Sequence, residues 1–184
     1  SITAPNGATL PGPIQSYTAQ VTNGDQQRVR GVDLEVGYTF QTGGFGDFTT
    51  RFSASHQLAY DYTPAGLSTI EYAGSFGSPR DRASLFLGWS LGDVSLGAIA
   101  NYIGASENKL ADGSDHPSQQ YPSWTTVDLQ AAIAVPWNAK VSLGVRNVAD
   151  KSPPVTNALG FPFYDNSLYN VWGRVPYIRY EQNF

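Results

Sequence analysis

Few residues of this chain could do chemistry. There are two histidines, His56 and His116, and no cysteine. His56 stands in an alternating run on the side of Phe52 and Leu58, where a strand residue near an interface is a plainer reading than a ligand or a catalyst. "ADGSDHP" gathers Asp112, Asp115 and His116. Oxygen ligands at such spacing could hold Ca²⁺, but the EF-hand spacing is missing and a solvated loop accounts for the same residues. No P-loop or H-E-x-x-H occurs. The sequence thus offers no catalytic residue, metal site or cofactor site, and an enzyme is not expected. The remaining candidates are aromatic: Phe161, Phe163, Tyr164, Tyr169 and Trp172 crowd one segment. Exposed loop aromatics stack on sugars or aromatic chelates, and they also pack loops against their neighbours. They are the candidate ligand contacts.

Such a loop has to be held by something, and the chain around it alternates almost everywhere. "RASLFLGWSL" sets Ala83, Leu85, Leu87, Trp89 and Leu91 against Arg82, Ser84, Phe86, Gly88 and Ser90. "TVDLQAAIAV" and "GVDLEVGYTF" do the same, and "VSLGVR" sets Val141, Leu143 and Val145 against Ser142, Gly144 and Arg146. Period two means strands. The runs approach or exceed ten residues, where soluble strands more often have about 5–6 and membrane-spanning strands need about 9–11. Eight strands are expected, over roughly 14–23, 27–41, 46–62, 79–92, 93–105, 122–136, 139–148 and 174–184. The connections between them are tight ("TGGFG", "GD", "WNA") or long ("TPAGLSTIEYAGSFGS", "SENKLADGSDHPSQQY", "ADKSPPVTNALGFPFYDNSLYNVWG"), alternating down the chain except that the first turn, "NGDQ", is also short. In an up-and-down meander the tight turns then lie at one end and the long loops at the other, the asymmetry of outer-membrane barrels.

The two faces sharpen the choice. One is aliphatic. The other carries Gly37, Ser53, Ser55, Ser84, Gly88, Gly97, Asn101, Asp128, Gln130, Ser142, Gly144 and Arg146. A dry sandwich core would not accept that second face, and no helical pattern is present to cover the first. Tyr60, Tyr62, Tyr102, Tyr121, Trp124, Trp137, Tyr177 and Tyr180 fall near strand ends, as in interfacial girdles; ordinary β-propensity would place them similarly.

Composition sets the outer bounds. The chain has 184 residues, enough for one domain or two small ones. Charged residues are 14%, against about 25% in soluble domains. Net charge is −4 with no basic patch, so nucleic acid is not an expected partner. No apolar run is long enough for a transmembrane helix. No signal peptide is visible and Met is absent, so a processed chain or a fragment is expected.

Four stretches, in order, carry a family resemblance. "RVRGVDLEVGYTF" (Arg28–Phe40) resembles the "rGvElel" strand of TonB-dependent receptors, and "SWTTVDLQAAIAV" (Ser123–Val135) their "y…vdl…" strand. "VRNVADKSPPV" (Val145–Val155), with Tyr164, Asp165, Gly173 and Arg174, resembles their "NlfDk.pp…yd..GR" ending. The last strand, with Ile178, Tyr180 and a terminal Phe184, looks like the signal that outer-membrane proteins present to the barrel-assembly machinery.

The resemblance implies an all-β, antiparallel, up-and-down transmembrane β-barrel of ~22 strands with a plugged lumen. About eight strands are expected here, so residues 1–184 would be the C-terminal portion, without the plug, the TonB box and the earlier strands. It implies a place in the outer membrane of a Gram-negative bacterium, among outer-membrane lipid. It also implies uptake of a scarce small-molecule nutrient (siderophore, cobalamin or glycan), energised by the TonB system through the plug. In that setting Arg146 faces a wet lumen and Val141, Leu143 and Val145 face lipid. Two other readings stay open: a self-contained eight-stranded membrane barrel, and a soluble carbohydrate-binding β-sandwich. Two structural expectations follow. Gly92-Asp93 should close a hairpin with Leu85, Leu87, Leu96 and Ala98 outside, and 14–23 should not pair with 174–184.

Overall fold

The computed structural model describes residues 2–3, 9–10, 16, 24–109, 115–156 and 163–183. A two-residue pair, β1 (Ile2–Thr3) and β2 (Thr9–Leu10), precedes the main sheet. The sheet contains β3 (Gln26–Gln41), β4 (Asp47–Thr63), β5 (Ile70–Glu71), β6 (Asp81–Leu91) and β7 (Val94–Ile103). Beyond a hairpin of β8 (Ser106–Lys109) and β9 (Asp115–Tyr121), it continues with β10 (Trp124–Val135), β11 (Ala139–Arg146) and β12 (Val175–Gln182). The order across it is β12-β11-β10-β7-β6-β4-β3, every neighbour antiparallel, with β5 added on β4. Chain order and spatial order agree, which makes it a meander. Among the described residues β3 and β12 are free edges, so the sheet is open.

Register fixes the two faces. One row crosses all seven long strands as Phe40, Phe48, Trp89, Leu96, Ala131, Leu143 and Ile178. The adjacent row on the opposite face runs Thr39, Thr49, Gly88, Gly97, Gln130, Gly144 and Tyr177. A one-residue slip anywhere would exchange the two. The aliphatic face is bare: Leu96 is 49% and Leu143 58% exposed. Water does not tolerate a continuous apolar sheet face of this extent; a bilayer does. On β6 the outward residues Ala83 to Leu91 cover roughly 26 Å along the strand, or about 20 Å of bilayer at barrel tilt. At the long-loop end this band stops at His56 and Asp81, register partners whose Nδ1 and Oδ1 lie 2.6 Å apart.

The glycines of the inner face have a packing reason. The Phe86 ring lies across Gly88 and Gly97, where an added Cβ would come within 2.9 and 3.3 Å of it. The Tyr177 ring lies on Gly144 in closer contact still, and its hydroxyl donates to Gln130 Oε1 at 2.9 Å. Arg51 sits over Phe86 at 5.3 Å and Arg146 over Tyr177 at 5.7 Å, each adding a cation–π contact. Each unit is a glycine recess, a flat ring and a guanidinium.

Most strand expectations hold to within a few residues. The Gly92-Asp93 hairpin forms, with Leu87 opposite Ala98 and Leu85 opposite Ala100 on the outward face. The expected strand 14–23 lies outside the described residues apart from Ser16, so its pairing with the last strand does too; Phe184 also lies outside them. Two expectations need correction. "SENKLADGSDHPSQQY" is not a plain loop: it folds into the β8–β9 hairpin, because Ser106 and Glu107 find partners in Tyr121 and Gln120. Three aromatics are not girdle residues. Tyr121 and Trp124 are buried under the loops, and Tyr177 lies on the inner face. Strand-end position alone does not distinguish these environments.

Candidate functional site

Three connections meet at one end of the wall: residues 64–80, 104–123 and 147–174. At the other end, among the described residues, are only the short turns at 42–46, 92–93 and 136–138. The third of these holds Trp137 and Asn138 at φ 71° and 54°. Left-handed backbone costs a non-glycine residue about 1–2 kcal/mol, and Trp137 lies exposed where an interfacial ring would sit.

The long connections share a core. The Phe76 and Tyr121 rings are 4.2 Å apart, Tyr121 and Tyr169 5.9 Å, and Trp124 meets Tyr169 edge-on at 5.4 Å. Backbone bonds join the first two loops: Phe76 N donates to Glu107 O (3.1 Å) and Glu107 N to Gly74 O (2.8 Å). Trp124 is in register with Ile103, which pairs with the inward Arg82, so this cluster roofs the inner face. Its interior is nearly closed to solvent, with Tyr121 at 0%, Ser106 at 1% and Tyr169 at 4% exposure. The hydroxyls of these three residues have no hydrogen-bond partner. Each such group, kept dry, costs about 1–3 kcal/mol. Burial, then the Asp165 carboxylate and the Tyr169 phenol, pushes Tyr121 up to about 12. Tyr169 is raised by burial and then Asp165. Ser106 and Arg82 pull it the other way, although the Ser106 hydroxyl stays outside hydrogen-bond geometry.

The third connection is clasped at its root. Asn147, buried and at φ 48°, closes a turn by bonding both main-chain groups of Lys151: Nδ2 to the carbonyl and the N–H to Oδ1, each 2.9 Å. Its own N–H donates to Asp128 Oδ1 at 2.7 Å. Asp150 Oδ1 accepts from Arg174 N at 2.8 Å, and Arg174 Nε donates to Val148 O at 2.8 Å. Gly173 is required beside them: its φ is 61°, and a Cβ would come within 2.6 Å of Asp150 Oδ1. Trp124 Nε1 donates to Ser152 O at 3.0 Å. The "N…DKSPP…GR" words therefore mark a clasp that fixes where the loop leaves and re-enters the wall. Sequence reasoning had the words but not this role; the signal was Asn-x-x-Asp-Lys paired with a distant Gly-Arg.

Beneath the roof the inner face forms a groove of about 1110 Å³, lined by Arg51, Asp128, Gln130, Arg146, Trp172 and Tyr177 among others. Arg146 thus faces the inner side, as its alternation predicts. The candidate aromatics separate. Trp172 is 77% exposed and lines the groove, with its N–H held by Asn170 Oδ1 at 2.9 Å. Phe163 is exposed and Tyr164 half-buried. Tyr169 packs inside the roof. Phe161 lies outside the described residues. Asp112 does as well, and of Asp115 and His116 only the backbone is described. Among the described residues no group of three or more His, Cys, Asp or Glu is placed to hold a metal ion.

A family model for the TonB-dependent receptor-like β-barrel matches residues 2–148. The match ends at the root of the third connection, so the clasp and β12 rest on geometry. No curated protein and no solved structure matches the chain. Barrels of this family lie in the outer membrane of Gram-negative bacteria and serve TonB-dependent transport. The open antiparallel wall, bare outside and polar within, and a family match over most of its length lead to one assignment: this chain belongs to the TonB-dependent receptor β-barrel family.

Proposed function

We propose that this chain forms barrel wall and external loops of a receptor that captures a scarce nutrient of the siderophore, cobalamin or glycan class. It would work as part of a longer receptor whose plug receives energy from TonB; its role is transport, not catalysis. The observation that carries the reading is the gathering of the three long connections over an inner groove, with tight turns at the opposite end among the described residues. Among the described residues β3 and β12 do not pair with each other, which supports a wall that continues into further strands. Trp172 leads the candidate ligand contacts, which also include Phe161, Phe163 and Tyr164, because its exposed ring borders that groove. Ile178 and Tyr180 face outward on β12 and, with Phe184, would be read by the barrel-assembly machinery.

The test is uptake by cells carrying the full-length receptor, with and without TonB, offered ferric siderophores, cobalamin and oligosaccharides in turn. Uptake of one class, lost without TonB and weakened by Trp172→Ala, is expected. Uptake independent of TonB would overturn the reading. Removing Phe184 should lower the outer-membrane yield in cells while refolding in detergent stays near normal; an unchanged yield would remove the assembly role.

A further inference from the structure

We propose that the inner groove is an anion path, along which Arg146 and then Arg51 meet the oxyanions of a negatively charged cargo. The proposal rests on the transport reading and narrows its cargo. Three observations carry it. The first is charge. The charged groups lining the groove are Arg51, Lys140, Arg146 and Arg179 against Asp47 and Asp128. Glu181 pairs with Arg179 at 3.5 Å, and the remainder is still net positive, in a chain whose charge is −4. One oxygen of Asp128 is engaged by the Asn147 N–H. The inward carboxylates Asp33 and Glu35 stand on the edge strand β3 and do not line the groove. Hydrocarbon behind the wall screens little, and a cleft of one sign against a low-dielectric wall concentrates counter-ions.

The second is availability. Arg51 and Arg146 are exposed, and among the described residues neither guanidinium has a hydrogen bond or an ion pair. Their cation–π contacts with Phe86 and Tyr177 consume no N–H donor, so the fork of each remains free for a planar oxyanion such as a carboxylate. The rings, seated on glycine, hold the charges in place before a cargo arrives, which lowers the cost of ordering two long side chains. The third is position. Arg146 is the last residue of β11, where the third connection begins, whereas Arg51 is the fifth residue of β4 from the tight-turn end. One register row links them through Phe86, Ile99 and Asp128, four strand spacings or about 19 Å across the sheet. A cargo released by the loops would meet Arg146 first and Arg51 deeper in the wall.

The test offers charged and uncharged cargoes to cells carrying the full-length receptor: ferric tricatecholate against ferric trihydroxamate, and oligogalacturonate against neutral oligosaccharide and cobalamin. TonB-dependent uptake of an anionic cargo, about tenfold or more faster than of its uncharged counterpart, is expected. Arg51→Gln combined with Arg146→Gln should slow that uptake about tenfold or more per receptor at the cell surface. Surface binding of the same cargo, supplied by the external loops, should change little. Arg51→Lys with Arg146→Lys keeps the charges without the fork and should retain the preference for anions. Three outcomes would overturn the proposal: a TonB-dependent preference for an uncharged cargo, a Gln pair that transports the anion at the parent rate, or a Gln pair that slows charged and uncharged cargo alike, the mark of a merely structural role. Uptake without TonB would instead overturn the transport reading itself, and this proposal with it. Should the Gln pair fail to reach the surface, the cargo preference of the parent and of the Lys pair still decides.

Discussion

The wall and the roof of this molecule reverse the usual division of labour. The long strands, which elsewhere make the core, leave Leu96, Leu143 and Ile178 bare. The connections, which elsewhere run over the surface, bury Tyr121, Tyr169 and Trp124. The difference lies in the solvent each meets. Strand aliphatics face hydrocarbon and need no partner within the chain. The connections face water and must hide apolar surface among themselves. Wall and roof should therefore respond differently to the same kind of change.

The largest effect is expected on the wall. Leu87→Arg places a charge at the middle of the outward band and should cost about 2–4 kcal/mol of folding in lipid vesicles, followed by denaturant titration. Ser84→Arg, on the inward side of the same strand, should cost much less; equal costs would mean that the band does not face lipid. Next is the inner face itself. Gly144→Val forces Tyr177 off its recess and away from Gln130, for about 1–3 kcal/mol in the same assay. Asn147→Ala unfastens the clasp and should cost about 1–2 kcal/mol. It should loosen 147–174 in limited proteolysis while the strands stay resistant. The smallest effect at neutral pH is in the roof. The raised Tyr121 phenol stays neutral in the packed roof, so its ionisation costs the packing nothing below pH about 10, the ordinary range. As pH climbs from there through about 12, unpacking is increasingly favoured. Tyrosinate absorbance and loop proteolysis should rise together over that interval, and Tyr121→Phe should separate them.

The same contrast explains what could be read from the sequence. Strands, faces and hairpin turns were legible because period two is a local property and one face had to be uniformly apolar to meet lipid. Arg146 and the glycines of the inner face were legible for the same reason. The roof was not. Nothing near Tyr169 distinguishes a ring that packs on Trp124 from the exposed ring of Trp172. The β8–β9 hairpin was hidden because its strands, "SENK" and "DHPSQQY", lack the alternation that the wall shows. Trp124, Tyr121 and Tyr177 read as girdle residues in the sequence, since lipid interface, loop core and lumen favour the same residue types. Only pairing register and cross-loop contacts separate them.

The glycine recesses of the inner face set the width of a bore. Because Phe86 and Tyr177 lie flat on Gly88, Gly97 and Gly144, two large side chains occupy little of the space that a passing solute or an occupant of the lumen would use. Methyl groups at those three positions would tip both rings inward, and the guanidiniums of Arg51 and Arg146 with them. Calibre and lining charge would then change in one step, with no outward residue altered. For a lineage or an engineer adapting such a wall to a new cargo, those glycines are the places where the passage can be narrowed without disturbing how it sits among lipids.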